Sequence, residues 1–592
     1  MKKSLFALCL FTLCLSEGSL LPLFARDGDD PSPEPIQFSG IYPHLGMYNN
    51  EGECGTGAVV SWADRLWVMT YGPHLPFGSS DLLYEIDHDL HRITRPESVG
   101  GTHANRMIHP ESHQLFMGPY VIDVDRHIRV ISSKIMPGRL TGNARHWLDP
   151  VHKIYFASME EGFYEVDVHS LEVKTINPDG NALTPVNVSG PLLPGYHGKG
   201  LYSSQGRLVY ANNGENSPEA RKRPDILSVC LAEWDGVLWN VVMRNPFTEV
   251  TGPGGVEGNV QVSDPIWSIG WDDRSLILML LDGGRWYQYR LPKASHTYDG
   301  AHGWNTEWPR IREIRSDFSL MTMHGMFWQF PKTFSLKNQA GIRPLSTYLK
   351  IIGDFCEWNG RVVMGCDDAA LSDFLSGDVF PLEGTFCGQS NSNLWFVDPQ
   401  ELEHFGAVIA RGGPWKNDPV KAGIVSDPFL FSGFDYRMVH IRHNMNYPVT
   451  FTFEIDADGS GRWNPIQSVT VPVSGYAYHL FDSKIRAEWI RVKSDRDCEK
   501  TTLLYQFADR DDRSPRPDPR FEGLARPADV FSTGIIRPRG ENLKTLHFAA
   551  SRVSENRKLE EIGYYEIGEA MKLQRVEDPK AHQWMKENYS VR

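Results

Sequence analysis

Residues 194–215, PGYHGKGLYSSQGRLVYANNGE, read as a strand opened by glycines, a turn at Gly206, and a return through Leu208-Val209-Tyr210 to a polar tip. The opening sets His197 and Lys199 beside Gly198 and Gly200, residues that let one backbone approach another closely. Similar layouts recur on both sides of this stretch, so repetition is the first pattern to follow.

HANRMIHP (His103–Pro110) aligns with NARHWLDP (Asn143–Pro150), setting Arg106 against His146, Met107 against Trp147 and Pro110 against Pro150. Each then runs into an apolar strand, QLFMG or KIYFA. A second strand type ends in aspartate: LLYEID at Asp87, YVIDVD at Asp125, GFYEVD at Asp167 and NLWFVD at Asp398. The first three aspartates are spaced by 38 and 42 residues, which suits a four-stranded antiparallel unit. Such units are the blades of a β-propeller. Openings near Gly57, Asn105, Arg145, Gly198, Ile266, Met326 and Phe355 predict seven blades over residues 37–410, each burying its faces against its neighbours. The segment IQFSGIYP from Ile36 is a candidate to complete the last blade, and Asn216–Arg223 and Ser295–Trp308 read as insertions. The second insertion is polar and aromatic, and suits a loop that covers a ligand.

Past residue 410 the repeat stops. RMVHIRH, VTFTFEID, WIRVKS and TTLLYQF alternate apolar and polar residues, which predicts a β-sandwich over 411–509 with a hairpin turn at Asp458. Residues 510–592 open with a charged, Pro-rich linker and end in a small cap. The expected fold class is all-β: a seven-bladed β-propeller with a C-terminal β-sandwich.

Composition bounds the function. The chain has 592 residues, 41% hydrophobic and 11% aromatic, as a globular protein does. Its net charge of −14 argues against nucleic acid as a partner. Two lysines followed by LFALCLFTLCL predict a signal peptide over 1–25, and the acidic, Pro-rich stretch within 26–36 predicts a disordered leader. No later segment is long and apolar enough for a membrane span, so the expected location is secreted or periplasmic. Beyond the leader, Cys54, Cys230, Cys356, Cys366, Cys387 and Cys498 are too scattered for a disulfide framework; they predict buried thiols with at most one bridge.

In a propeller the first strand of each blade lines the axis, which gathers residues from distant parts of the chain. Candidate catalytic residues are His146 or His197 as base, Tyr202 as acid, and His103. Arg106 and Arg145 suit a carboxylate clamp. Lys199, Asn105, Glu161, Asn213, Glu215, Trp267 and His324 complete a candidate binding set. The plainer reading is that the charged groups satisfy one another across the channel, the acidic tips are solvated turns, and the tryptophans are core. No cofactor is expected, although histidines and carboxylates from different blades leave a bound divalent metal open.

With HANR, NARH, HGKG and MHGMFW at its blade openings, the chain resembles the secreted seven-bladed propeller enzymes of bacterial polysaccharide degradation. These include ulvan-type polysaccharide lyases and propeller enzymes acting on rhamnose–glucuronate linkages. The likeness is one of architecture over residues 37–410, and no catalytic residue is carried over. It implies a carbohydrate-active enzyme that cleaves a glycosidic bond in an acidic, uronate-containing oligo- or polysaccharide. Lyase-type chemistry by His, Tyr and Arg is narrowly favoured over a glycoside hydrolase that uses rim carboxylates. A non-catalytic glycan-binding propeller is the remaining alternative.

Overall fold

Tight turns cut the chain into short strands, and successive strands pair antiparallel with their neighbours. The computed structural model describes residues 45–52, 54–72, 75–180, 193–195, 197–214, 229–294, 309–314, 317–369, 390–511, 531–533, 537–539, 545–553, 558–568 and 573–589. The signal peptide, the acidic leader, the Ile36 segment, both insertions, Cys387 and Glu215 lie outside these residues.

The third sheet shows the pattern: Leu140–Arg145, Lys153–Ser158, Phe163–Asp167 and Val173–Asn177 meander outward in chain order. The fourth repeats it with Gly198–Ser204, Arg207–Asn212, Leu231–Trp234 and Trp239–Met243. Innermost strands of the other sheets are Gly55–Trp62, Arg106–His109, Phe247–Thr251, Arg310–Glu313 and Ile351–Trp358. These inner strands contact one another in sequence, and Ile351–Trp358 meets Gly55–Trp62. Met47–Asn49 pairs with Ser390–Val397 as the outer strand of the last sheet, so the two ends of the repeat are hydrogen-bonded together. The architecture is that of a β-propeller.

Three predicted openings are displaced. Ile266 begins a second strand, Met326 a third strand, and Arg145 ends the strand that Leu140 begins. The true inner strands, FTEVT and RIRE, carry charges because one of their faces looks onto the axis, so they lack the apolar run that marks a buried strand. The alignment of HANR with NARH also shifts. Gln114 pairs with Asp123 as Lys153 pairs with Asp167, so Arg106 corresponds to Asn143 and His109 to His146. The two prolines had matched connections of unequal length, Pro110–His113 and His146–His152.

The fifth sheet continues beyond the propeller. Its outer strand Arg285–Leu291 runs parallel to Phe429–Leu430, which leads into Trp489–Ser494, Val449–Asp456 and Trp463–Val471. A five-stranded sheet containing Ile409–Val420, Cys498–Ala508 and Tyr436–His443 is the other C-terminal layer. One apolar core joins Trp267, Trp328 and Phe334 to Phe429, Trp489 and Tyr505. Beside it Arg290 binds Asp272 at 2.9 Å and Asp427 at 2.7 Å. Burial works to raise the Asp272 carboxyl, but Arg290 and Arg274 outweigh it and bring it down to about 2. Asp458 lies in a hairpin turn, where Arg462 reaches it at 2.7 Å. The described cysteines, Cys54, Cys230, Cys356, Cys366 and Cys498, are buried thiols. No helix of the described residues is long and apolar enough to cross a membrane.

Candidate functional site

Side chains on the inner strands meet in a charged cluster at the axis. Asp354 binds Arg106 at 3.0 Å and Arg312 at 2.9 Å, and accepts the Val59 amide at 2.9 Å. Glu249 takes Arg312, Arg310 at 3.4 Å and the Ile311 amide at 3.2 Å. Glu313 accepts the Val256 amide at 3.1 Å from the short 3-10 turn Gly255–Glu257. Burial acts to raise the Asp354 carboxyl; Arg106, Arg312 and Arg310 overcome it and hold it below its ordinary value. Burial, then the neighbouring Arg312, lower Arg310 to about 10. The space left among these groups is about 60 Å³, room for a few waters.

Arg106, Asn105, Arg145, Lys199 and Tyr202 all line this chamber, so the sequence did bring part of the predicted set together. Arg106 is held by Asp354, and Arg145 forks onto Glu111, with one contact at 3.0 Å. Asn105 donates to the Gly118 carbonyl at 3.4 Å. The Tyr202 hydroxyl is shared between Gly255 O at 3.2 Å and Asn259 Oδ1 at 3.3 Å, and burial raises it far above an ordinary phenol.

The histidines do not converge. His103 is buried, its Nδ1 accepts the Leu140 amide at 3.1 Å, and burial lowers it to about 4. His324 is sealed against Trp271 with a ring separation of 5.2 Å, and burial holds it well below its usual value. His146 follows the third sheet's inner strand. Its Nδ1 caps the Leu148 and Asp149 amides, Nε2 meets Glu165 at 3.1 Å, and its ring stacks on Tyr155. His109 caps the Ser112 amide in the matching place of the second sheet, so both rings hold loops.

His197, Glu161 and Asn213 lie at the opposite end of the third and fourth sheets. His197 has φ of 68° and donates its amide to Met159 O, while the Asn213 amide donates to His197 O at 3.2 Å. Glu161 has φ of 64°, its buried Oε1 has no hydrogen-bond partner, and burial followed by Glu160 raises its carboxyl to about 7. Trp267 is core, its indole N–H donating to Phe334 O at 2.9 Å. Sequence reasoning missed Glu249, Arg310, Arg312 and Glu313; the alternation of charged and apolar residues in FTEVT and RIRE was the available signal.

A larger cavity of about 440 Å³ lies away from the axis, between the third and fourth sheets. His146, Trp147, Tyr155 and Trp234 wall it, with Ser203–Gly206 and Asn259–Val262 on the other side. Trp147 and Trp234 stack at 5.2 Å and 9°. For a divalent metal, the described residues contain two acidic–histidine groups, Asp87/Asp89/His91 and Asp123/Asp125/His127. In each, the first aspartate caps backbone amides of its own turn, so these are turn devices in two successive sheets.

No protein-family model and no curated protein matches the sequence. Among solved structures the chain is similar to the RRP9 WD40 repeats, at 10% identity and TM-score 0.35, over 60% of this chain and 99% of that one. It is also similar to U3-55K, at 10% identity and TM-score 0.34, over 60% and 100%. A third is the Cps50 (Swd1) β-propeller domain of Myceliophteria thermophila, at 10% identity and TM-score 0.31, over 59% and 99%. The likeness is one of fold. These neighbours are WD40 and propeller domains, and the expectation of a glycan-cleaving enzyme with an oligo- or polysaccharide substrate is corrected on that finding. The geometry supplies a physical reason. Two of the candidate histidines, His103 and His324, are buried and neutral, the expected acid is a buried phenol, and the clamp arginines are already held by carboxylates.

Proposed function

We propose that the chain is a non-catalytic propeller scaffold that holds a protein partner. On this reading the six four-stranded sheets and the first four strands of the eight-stranded sheet are seven blades closed by Met47–Asn49, and the two C-terminal layers are a β-sandwich fused to the fifth blade. The observation that carries it is the state of the axis: Asp354 and Glu249 pair with Arg106, Arg310 and Arg312 inside the ring, and Glu313 beside them supplies the third negative charge. Charges already paired in a space of about 60 Å³ have no capacity left to bind and polarise a substrate. They lock neighbouring inner strands together, which suits a rigid frame that presents its outer surfaces.

The test is turnover. The purified chain, incubated with uronate-containing glycans, is expected to give neither the absorbance of an unsaturated product nor new reducing ends. Turnover that disappears in His146→Ala would overturn the scaffold reading.

A further inference from the structure

We infer that the cavity between the third and fourth sheets takes a large apolar side chain presented by a basic segment of a partner protein. This rests on the scaffold reading and names the contact surface that the reading needs.

The cavity's polar groups are already engaged within the chain. Ser203 donates to Arg145 O at 2.7 Å, Ser204 to Asp264 O at 2.8 Å, and Gln205 to Asp264 O at 3.0 Å. His146 and Lys153 share Glu165. What remains to offer is aromatic and aliphatic surface, chiefly Trp147 and Trp234. A volume of about 440 Å³ is in the usual range of ligand pockets.

The mouth decides between a small ligand and a polypeptide. Leu148 is 84% exposed, Val262 76% and Val260 66%, and all three border the opening. A small molecule seated inside would leave these aliphatic groups in water. A peptide whose side chain enters the cavity lays its backbone across them and covers both surfaces at once.

Charge at the mouth then selects the peptide. Asp235 is exposed at the opening and Asp149, partly exposed, follows Leu148 beside it; among the described residues neither has a lysine or arginine within ion-pair distance. Hydrogen bonds from His152 to Asp149, and from the Leu238 and Val237 amides to Asp235, favour their ionised forms. The nearby cations are committed elsewhere: Lys153 to Glu165, Arg207 to Glu233 and Arg145 to Glu111. Lysine or arginine beside the apolar anchor therefore completes the contact.

The test is fluorescence anisotropy on the full chain with labelled twelve-residue peptides. One carries a Lys-Phe-Arg centre, a second replaces Phe with Ala, and a third replaces the basic residues with Glu. The first is expected to bind saturably, more weakly as salt rises, and at least about tenfold more tightly than the other two. Leu148→Ser, at a position whose side chain is in solvent, removes the apolar contact without adding charge and is expected to weaken it by about tenfold with an unchanged melting temperature. Trp234→Ala serves as a second variant at the wall. Absence of binding, equal binding of the three peptides, or undiminished binding by Leu148→Ser would overturn the inference. The scaffold reading would stand through any of those results, because glycan turnover is what overturns it.

Discussion

The axial chamber and the off-axis cavity are built from neighbouring strands, yet they fill with opposite chemistry. At the axis, inner strands from every sheet crowd their side chains into a space that excludes bulk water. A charge there must meet an opposite charge, since an unpaired one would bear the full desolvation cost. Between the third and fourth sheets the walls include residues of two connections, His146–His152 and Asp235–Leu238. Aromatic rings fill part of that gap and leave the rest open. The comparison teaches that the most charged place in this molecule is its frame, and that its receptive surface is apolar.

The sharpest way to break the comparison is at Asp354. Asp354→Asn keeps the volume but leaves Arg106 and Arg312 without their shared carboxylate, and is expected to cost about 3–5 kcal/mol in urea unfolding. A loss near zero would show that the axis is not the frame. Trp234→Ala removes a half-buried ring stacked on Trp147 and is expected to cost about 2 kcal/mol, less than a sealed ring would.

A smaller effect follows pH. Burial and Glu160 raise Glu161 to about 7 from an ordinary 4.5, so the folded chain keeps a proton that the unfolded chain releases. Stability should therefore fall as pH rises from 4.5 to about 7 and level off above that. Unfolding midpoints of Glu161→Gln, subtracted from those of the parent across this window, should carry the slope; a flat difference would refute it. Asp354 acts in the opposite sense. Its carboxyl is held below the ordinary value, so its contribution is present at neutral pH and is lost as pH falls through its lowered value. The smallest effect is at Leu148, where substitution by Ser should alter stability by no more than about 0.5 kcal/mol, as calorimetry would register.

Strand-forming alternation, turn residues and the recurring aspartate-ended strand were enough to read a propeller from the sequence, because each depends on residues close together in the chain. The first, second and fourth openings were found near Gly57, Asn105 and Gly198, where glycine or a polar residue precedes an apolar run. Those at Phe247 and Arg310 were missed, since the axis turns their alternate residues into charges and erases that signal. The same limit applies to the candidate site. Residue types named Arg106, Arg145 and Lys199 as axial, but spacing could not reveal that Asp354 and Glu249, distant along the chain, pair with the arginine cluster.

Arg106 and His146 looked equivalent in sequence because prolines follow both, and pairing of strands places one at the start of its strand and the other after the end of its own. Local pattern thus determined the kind of structure and the inventory of charged groups. Ring closure alone decided which charges meet, which histidines are sealed from water, and where an apolar mouth is left open, because each of these depends on distances between segments that the linear order does not encode.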